Sequence, residues 1–201
     1  IATPEPAEQA AAALEVMRPV LRNAAALIVT RGTEAHSGKA GAADRGIAAA
    51  LKAQGVNVIV QPDPGASEAE HELVFDLCGV RFDVAHHVGG TRVPHTRGNN
   101  IRSEVNQAIH DYAEIKQRLP DILIRGHVHN LADTGENFPI YGVVLPAWQT
   151  KTAFAHRVTR QKVTRVGGLI CECTGDGNYH KRVRTWKVPR PPVMEILTGA
   201  P

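Results

Sequence analysis

Apolar positions along this chain recur at two spacings, and each change of spacing marks an element. Between Pro6 and Asn23 the apolar stripe of Ala10 to Leu14, Val16, Met17, Val20 and Leu21 predicts a helix, with proline near its start and a kink at Pro19. Ala24–Thr30 is a continuous apolar run and predicts a buried strand. A second helix is expected over Ala40–Gln54, stopping at Gly55, and a second strand over Val56–Val60, broken by Pro62-Asp63-Pro64-Gly65. His71–Leu77 and Val80–Ala85 read as a hairpin about Cys78-Gly79. Ile101–Arg118 carries Ile101, Val105, Ala108, Tyr112 and Ile115 at alternating steps of four and three, which is one face of a helix. Ile122–Arg125 and Phe138–Leu145 follow as strands, and Thr150–Arg160 as a short helix. Val166–Val188 alternates as a hairpin turning at Thr174–Asn178, where Asp176-Gly177 favours a turn.

Strands alternating with helices, followed by a run of strands, predict an α/β sandwich with mixed sheets. Residues 1–188 are assigned to one domain and 189–201 to a Pro-rich tail. A chain of 201 residues with 43% hydrophobic content is long enough to bury a core, and aliphatic residues must fill it because aromatics are only 4%. A formal charge of +3 is too small to argue for nucleic acid. No apolar stretch reaches membrane-spanning length and no signal-peptide pattern is visible, so no membrane partner is expected, and the reduced reading of the cysteines points to a cytoplasmic-type protein. Cys78, Cys171 and Cys173 do not form an even disulfide framework and read as reduced packing residues; a Cys171–Cys173 metal pair with His180 is the rival.

Ten histidines are the compositional outlier. Gly126-His127-Val128-His129 closes the apolar run Asp121–Arg125, and side chains two apart on a strand share a face, so His127 and His129 offer paired imidazoles suited to a divalent transition metal. Solvated histidines are the plain alternative for either one alone. Two other apolar strands also end in histidine, at Thr33-Glu34-Ala35-His36 and at His86-His87. In open α/β layers the loops at strand C-terminal ends converge, which is where sites form. Of the remaining histidines His95, His110, His156 and His180 lack a motif, and Trp148 reads as a rim or core aromatic rather than a base-stacking platform. Arg31, Lys39, Arg92, Arg97 and Arg125 lie in or near the same loops, and Asn99 and Asn100 serve either substrate or helix capping.

Gly126-His127-Val128-His129 after its strand resembles the last signature of the calcineurin-like metallophosphoesterases. Asp83-Val84-Ala85-His86-His87 resembles the strand-end histidine motif upstream of it, and Arg31–His36 a diverged Gly-Asn-His block of the kind found in phage and prophage members. Leu145-Pro146-Ala147-Trp148 fits the loop after the last signature. The resemblance covers about residues 1–156. It implies a four-layer α/β/β/α sandwich, phage-encoded or otherwise, that hydrolyses phosphate mono- or diesters with a dinuclear metal site activating water. His86 and His127 would ligate one ion and His129 the other, with His87 the alternative to His86. His36 would protonate the departing oxygen, and Arg31, Arg92 and Arg97 would bind substrate. Manganese, iron, zinc and nickel all accept such ligands, so the metal stays open. The Asp-x-His and Gly-Asp-x-x-Asp motifs of the family are absent, and the block's metal-binding Asn is replaced by Thr33 or Glu34. An N-terminal segment carrying the missing strands and carboxylates is therefore expected upstream of Ile1. The competing expectations are a non-catalytic binding or assembly module and a nuclease-type phosphodiesterase acting on nucleic acid. Oligomeric state is not legible.

Overall fold

The computed structural model describes residues 6–33, 41–59, 69–89, 96, 98–148 and 165–188. Helix α1 (Pro6–Leu21) and helix α2 (Ala42–Ala53) pack on a two-stranded parallel pair, β1 (Leu27–Ile28) and β2 (Val58–Ile59). Ala48, Leu51 and Val58 form the centre of that small core, against Leu14, Leu21 and Leu27. Within the described residues the expected strands 24–30 and 56–60 are much shorter, pairing over two residues each, with Leu27 and Ile28 half-buried and Val58 buried. Thr30 then bridges to Glu70, and the Arg31 N–H donates to the Glu70 carbonyl at 2.7 Å, tying this unit to the main sheet.

The main sheet has five strands: β3 (Glu72–Leu77), β4 (Val80–Ala85), β5 (Ile122–Arg125), β6 (Ala132–Asp133) and β7 (Tyr141–Val144), in the order β3-β4-β5-β7-β6. β4, β5 and β7 are parallel, while β3 and β6 run antiparallel along the two edges. The fold is therefore α/β around a central mixed sheet, as the alternation of elements predicts. Cys78 (φ 51°) and Gly79 (φ 82°) both take left-handed backbone, the requirement of the tight two-residue turn that joins β3 to β4.

Helix α3 (Asn99–Glu114) covers one face of this sheet. Its Ile101, Val105 and Ala108 close over Leu123, Ile140 and Val144. The predicted stripe ends one turn early, since Ile115 lies past the last helical residue and is 57% exposed. The opposite face carries the hairpin β8 (Arg165–Cys173) and β9 (Tyr179–Lys187), with Leu169, Cys171, Cys173 and Tyr179 against Val80, Phe82, Ile122, Tyr141 and Val143. Cys171 and Cys173 are free and half-buried, in line with packing roles, and Cys78 is free and exposed. The expected strand 138–145 shrinks to four residues, and β6 was not foreseen. The expected helix 150–160 and the tail 189–201 lie outside the described residues.

Ile101, Ile122, Leu123, Ile140 and Val143 are fully buried. At about 1.5–3 kcal/mol for each such side chain, the α3–sheet–hairpin sandwich is where stability concentrates. Gly142 sets its tightest spacing: a Cβ there would sit 2.5 Å from Val105 Cγ2 and 3.0 Å from Ile101 Cγ1. We predict that Gly142→Ala costs about 1–3 kcal/mol in urea unfolding, the usual penalty of overpacking. Gly168→Ala, whose Cβ would meet open space, should change stability by less than about 0.5 kcal/mol.

Candidate metal centre

β4 and β5 are parallel neighbours with Ala85 beside Arg125, so the residues after each strand leave the sheet at one rim. His86 and His87 follow β4, and Gly126-His127-Val128-His129 follows β5. The Gly126 N–H donates to the His86 carbonyl at 3.0 Å, carrying the pairing one step beyond the strands. Gly126 eases that approach, since a Cβ there would sit tightly against the His86 carbonyl oxygen at 3.3 Å and in ordinary contact with Nδ1 at 3.5 Å.

Beyond Gly126 the chain does not continue as a strand. His127 has φ 69° and His129 φ 55°, and the Val128 N–H donates to the Gly126 carbonyl at 2.9 Å, closing a three-residue turn centred on His127. The expectation that His127 and His129 project from one strand face is corrected: they stand on a turn. Left-handed backbone costs a non-glycine residue about 1–2 kcal/mol, though histidine adopts it more readily than most. The Asn130 amide bonds the Val128 carbonyl at 3.1 Å, and Val128 packs against the α3-side core, which together hold this backbone in place.

The turn brings the His127 ring to 5.3 Å from that of His86, edge to face at 72°, and to 5.0 Å from that of His87. Nε2 of His86 and Nδ1 of His127 are shielded from solvent. With ion–nitrogen bonds of about 2.0–2.1 Å and tetrahedral angles, two imidazoles on one ion have ring centres about 5 Å apart. The spacing of His127 to His86 or His87 fits one such ion. Among the described residues, however, no group of three or more His, Cys, Asp or Glu is arranged to hold a metal. The two-histidine core therefore stands short of a complete shell.

Directly under the rim lies a charge cluster that the histidine motifs alone do not reveal. Arg125 and Asp83 are 6% and 2% exposed and meet at 2.7 Å, Nη1 to Oδ1. Arg125 also donates to the Asp83 and Ile124 carbonyls at 3.3 and 3.1 Å, and it stands 3.7 Å from Glu72 and 3.5 Å from Glu104. The Tyr112 hydroxyl donates to Asp83 Oδ2 at 3.4 Å. Burial, reinforced by the Asp83 carboxylate, raises the Glu72 carboxyl above its ordinary pKa. Burial first, then Asp83 and Glu72, push the Tyr112 phenol up to about 12. Arg125 is thus committed to protein carboxylates and is not one of the loop arginines available to a substrate. The signal was present in sequence: Asp83 and Arg125 each occupy an inward position of an otherwise apolar strand, and two such charges on neighbouring strands call for each other.

Of the other expected site residues, Arg31 is half-buried and lies across Gly41 at the start of α2; a Cβ on Gly41 would touch its Cγ and Nε at 2.6 Å. The neighbouring Gly32 N–H bonds Asp44 Oδ2 at 2.7 Å. His36, Arg92 and Arg97 lie outside the described residues, as do Lys39, His95 and His156. The Asn100 amide donates to the Gly89 carbonyl, a tether between the His86-His87 loop and α3. Trp148 is a rim residue, 69% exposed. A broad cleft of about 820 Å³ between α1 and the loop 54–57 lies apart from this chemistry and carries none of the histidines.

No protein-family model and no curated protein matches the chain. Among solved structures it is similar to a single-mutant Vps29 from Entamoeba histolytica, at 15% identity and a TM-score of 0.43, over 86% of this chain and 89% of that one. A likeness at that level transfers no chemistry to this chain. Among the described residues no helix is long and apolar enough to cross a membrane.

The charge cluster generates a direct test. Arg125→Met leaves the Asp83 carboxylate buried without its cation and should cost about 3–5 kcal/mol in chemical denaturation. Adding Asp83→Leu should recover most of that loss, because an apolar pair leaves no buried charge to desolvate.

Proposed function

We propose that this protein is a metal-dependent hydrolase of phosphate mono- or diesters, with its reaction centre on the rim formed by the ends of β4 and β5. The observation that supports it is the convergence of His86, His87 and His127, from segments some 40 residues apart, at the spacing two imidazoles adopt on one ion. In this proposal His127 and His86, or His87 in its place, hold the first ion. His129, two residues further on, serves a second, and the carboxylates of a complete dinuclear site come from beyond the described residues. Manganese, iron, zinc or nickel suits the imidazole ligands. When bound, the metal lowers the pKa of a coordinated water and neutralises phosphoryl oxygens.

The chain's own residues do the rest. Gly126 and the His127 turn fix where the imidazoles stand, and the Asp83–Arg125 pair beneath them holds the two strand ends in register. His36 donates a proton to the leaving oxygen, a general-acid role that an imidazole side chain can fill. Arg31, Arg92 and Arg97 are assigned to the substrate oxygens.

Metal uptake is measured first, by elemental analysis after equilibration with manganese, zinc, iron or nickel and removal of free ion. At least one equivalent is expected, falling below about one tenth in His127→Asn, a residue that tolerates the left-handed backbone while removing the imidazole. Hydrolysis of bis-(p-nitrophenyl) phosphate should require the same ion and fall at least about 100-fold in that variant. A protein that takes up no metal would instead be a non-catalytic module, and this proposal would be abandoned.

A further inference from the structure

The outward face of β9 differs from the rest of the surface. β9 reads Tyr-His-Lys-Arg-Val-Arg-Thr-Trp-Lys, with Lys181, Arg182, Arg184 and Lys187 and no carboxylate. Alternation turns Tyr179, Lys181, Val183 and Thr185 towards the sheet and leaves Arg182, Arg184 and Trp186 exposed. Lys181 is consumed there, over the Tyr141 ring at 4.1 Å and bonded to Glu136 at 2.5 Å. Arg182 is paired with Glu172. Arg184 stands opposite Gly168, which has no side chain to cover it, and forms no ion pair among the described residues.

Trp186 ends this row at 55% exposure, and its ring meets Trp148 at 5.7 Å, tilted by 47°. These are the chain's two tryptophans. Large aromatics held mostly in water are unusual in a surface with no use for them. Their position matters as much as their exposure. Trp148 follows β7, the parallel neighbour of β5, so it stands on the rim that carries the histidines. At the other end of the hairpin, Gly177 bonds the Cys78 carbonyl at 3.3 Å and the Tyr179 hydroxyl bonds the Asp121 carbonyl at 3.5 Å. β9 therefore climbs from the base of the sheet to the rim, with cations first and aromatics last.

We infer that this face binds single-stranded nucleic acid, with bases stacked on Trp148 and Trp186 and the phosphate backbone following Arg184 and then Arg182, which would exchange Glu172 for a phosphate. Cationic side chains in a line with adjoining aromatic faces are the two components such binding requires, and the local charge is opposite in sign to the ligand. A duplex buries its base faces and cannot use the tryptophans. An apolar protein partner would use the rings but gain nothing from the unmatched arginine. The inference stands apart from the hydrolase proposal, because it concerns binding and needs no metal.

The test is a titration of the whole chain with a fluorescein-labelled oligothymidylate in EDTA, following anisotropy and intrinsic tryptophan emission together. Since both tryptophans lie in the patch, quenching reports occupancy of the patch itself. Binding should weaken with salt at a log–log slope of about −0.7 to −1.4, from one or two phosphates at about −0.7 each. Trp148→Ala and Arg184→Glu should each weaken it about tenfold or more, while Trp148→Phe, which keeps a stacking face, retains most of the affinity. Circular dichroism confirms that the variants fold. The inference is overturned by no quenching at low salt, by equal affinity for duplex DNA, by unchanged binding in Trp148→Ala or in Arg184→Glu, or by quenching with an apolar peptide and none with the oligonucleotide.

Discussion

Everything at the rim depends on one buried ion pair. Asp83 and Arg125 sit on neighbouring parallel strands, nearly sealed from water, and each would be costly to bury alone. A slip of one residue between β4 and β5 would turn one of these charges to the opposite face and leave the other uncompensated. The pair thus selects the register in which Ala85 lies beside Arg125, and from that register the contact of Gly126 with His86 follows. Glu72 on β3, and Glu104 and Tyr112 on α3, gather round the same guanidinium and carboxylate, so one edge strand and the covering helix are tied to the same point.

With the register fixed, the rim is shaped by what the backbone does next. A strand continuing past Arg125 would have thrown successive side chains to opposite faces. The turn at His127 instead folds the imidazole back towards β4, to within about one ring diameter of both His86 and His87. The left-handed backbone at His127 and His129 is offset by a packed Val128 and by the hydrogen bonds on either side of it. Strain held by firm neighbours in this way is typical of sites where position matters more than comfort.

The sequence disclosed this organisation unevenly, for physical reasons. Ile122–Arg125, Val80–Ala85 and the helix beginning near Ile101 were legible because full burial on a sheet or under a helix imposes a strict apolar pattern. β1 and β2 were overestimated because an apolar run records burial and not the presence of a strand partner. β6, two residues long, has no period to detect. The convergence of His86 or His87 with His127 was legible from their strand-end positions, yet the turn was not: nothing in Gly-His-Val-His distinguishes a strand from a bend without knowing what Val128 packs on. The Trp148–Trp186 contact joins residues 38 apart through a hairpin docked on the sheet, a relation no local pattern encodes.

The borders of the main sheet have a consequence for how the molecule behaves in company. β6 offers too short a ladder for another chain to grip. β3 is longer, but Glu72 and Asp76 project from it, and Arg81 clasps Asp76 through both carboxylate oxygens at 2.9 Å. A second copy attempting to extend the sheet would have to crowd carboxylates and dislodge that clasp. Both margins thereby discourage runaway stacking, leaving the sheet free to carry an open rim without becoming adhesive along its sides.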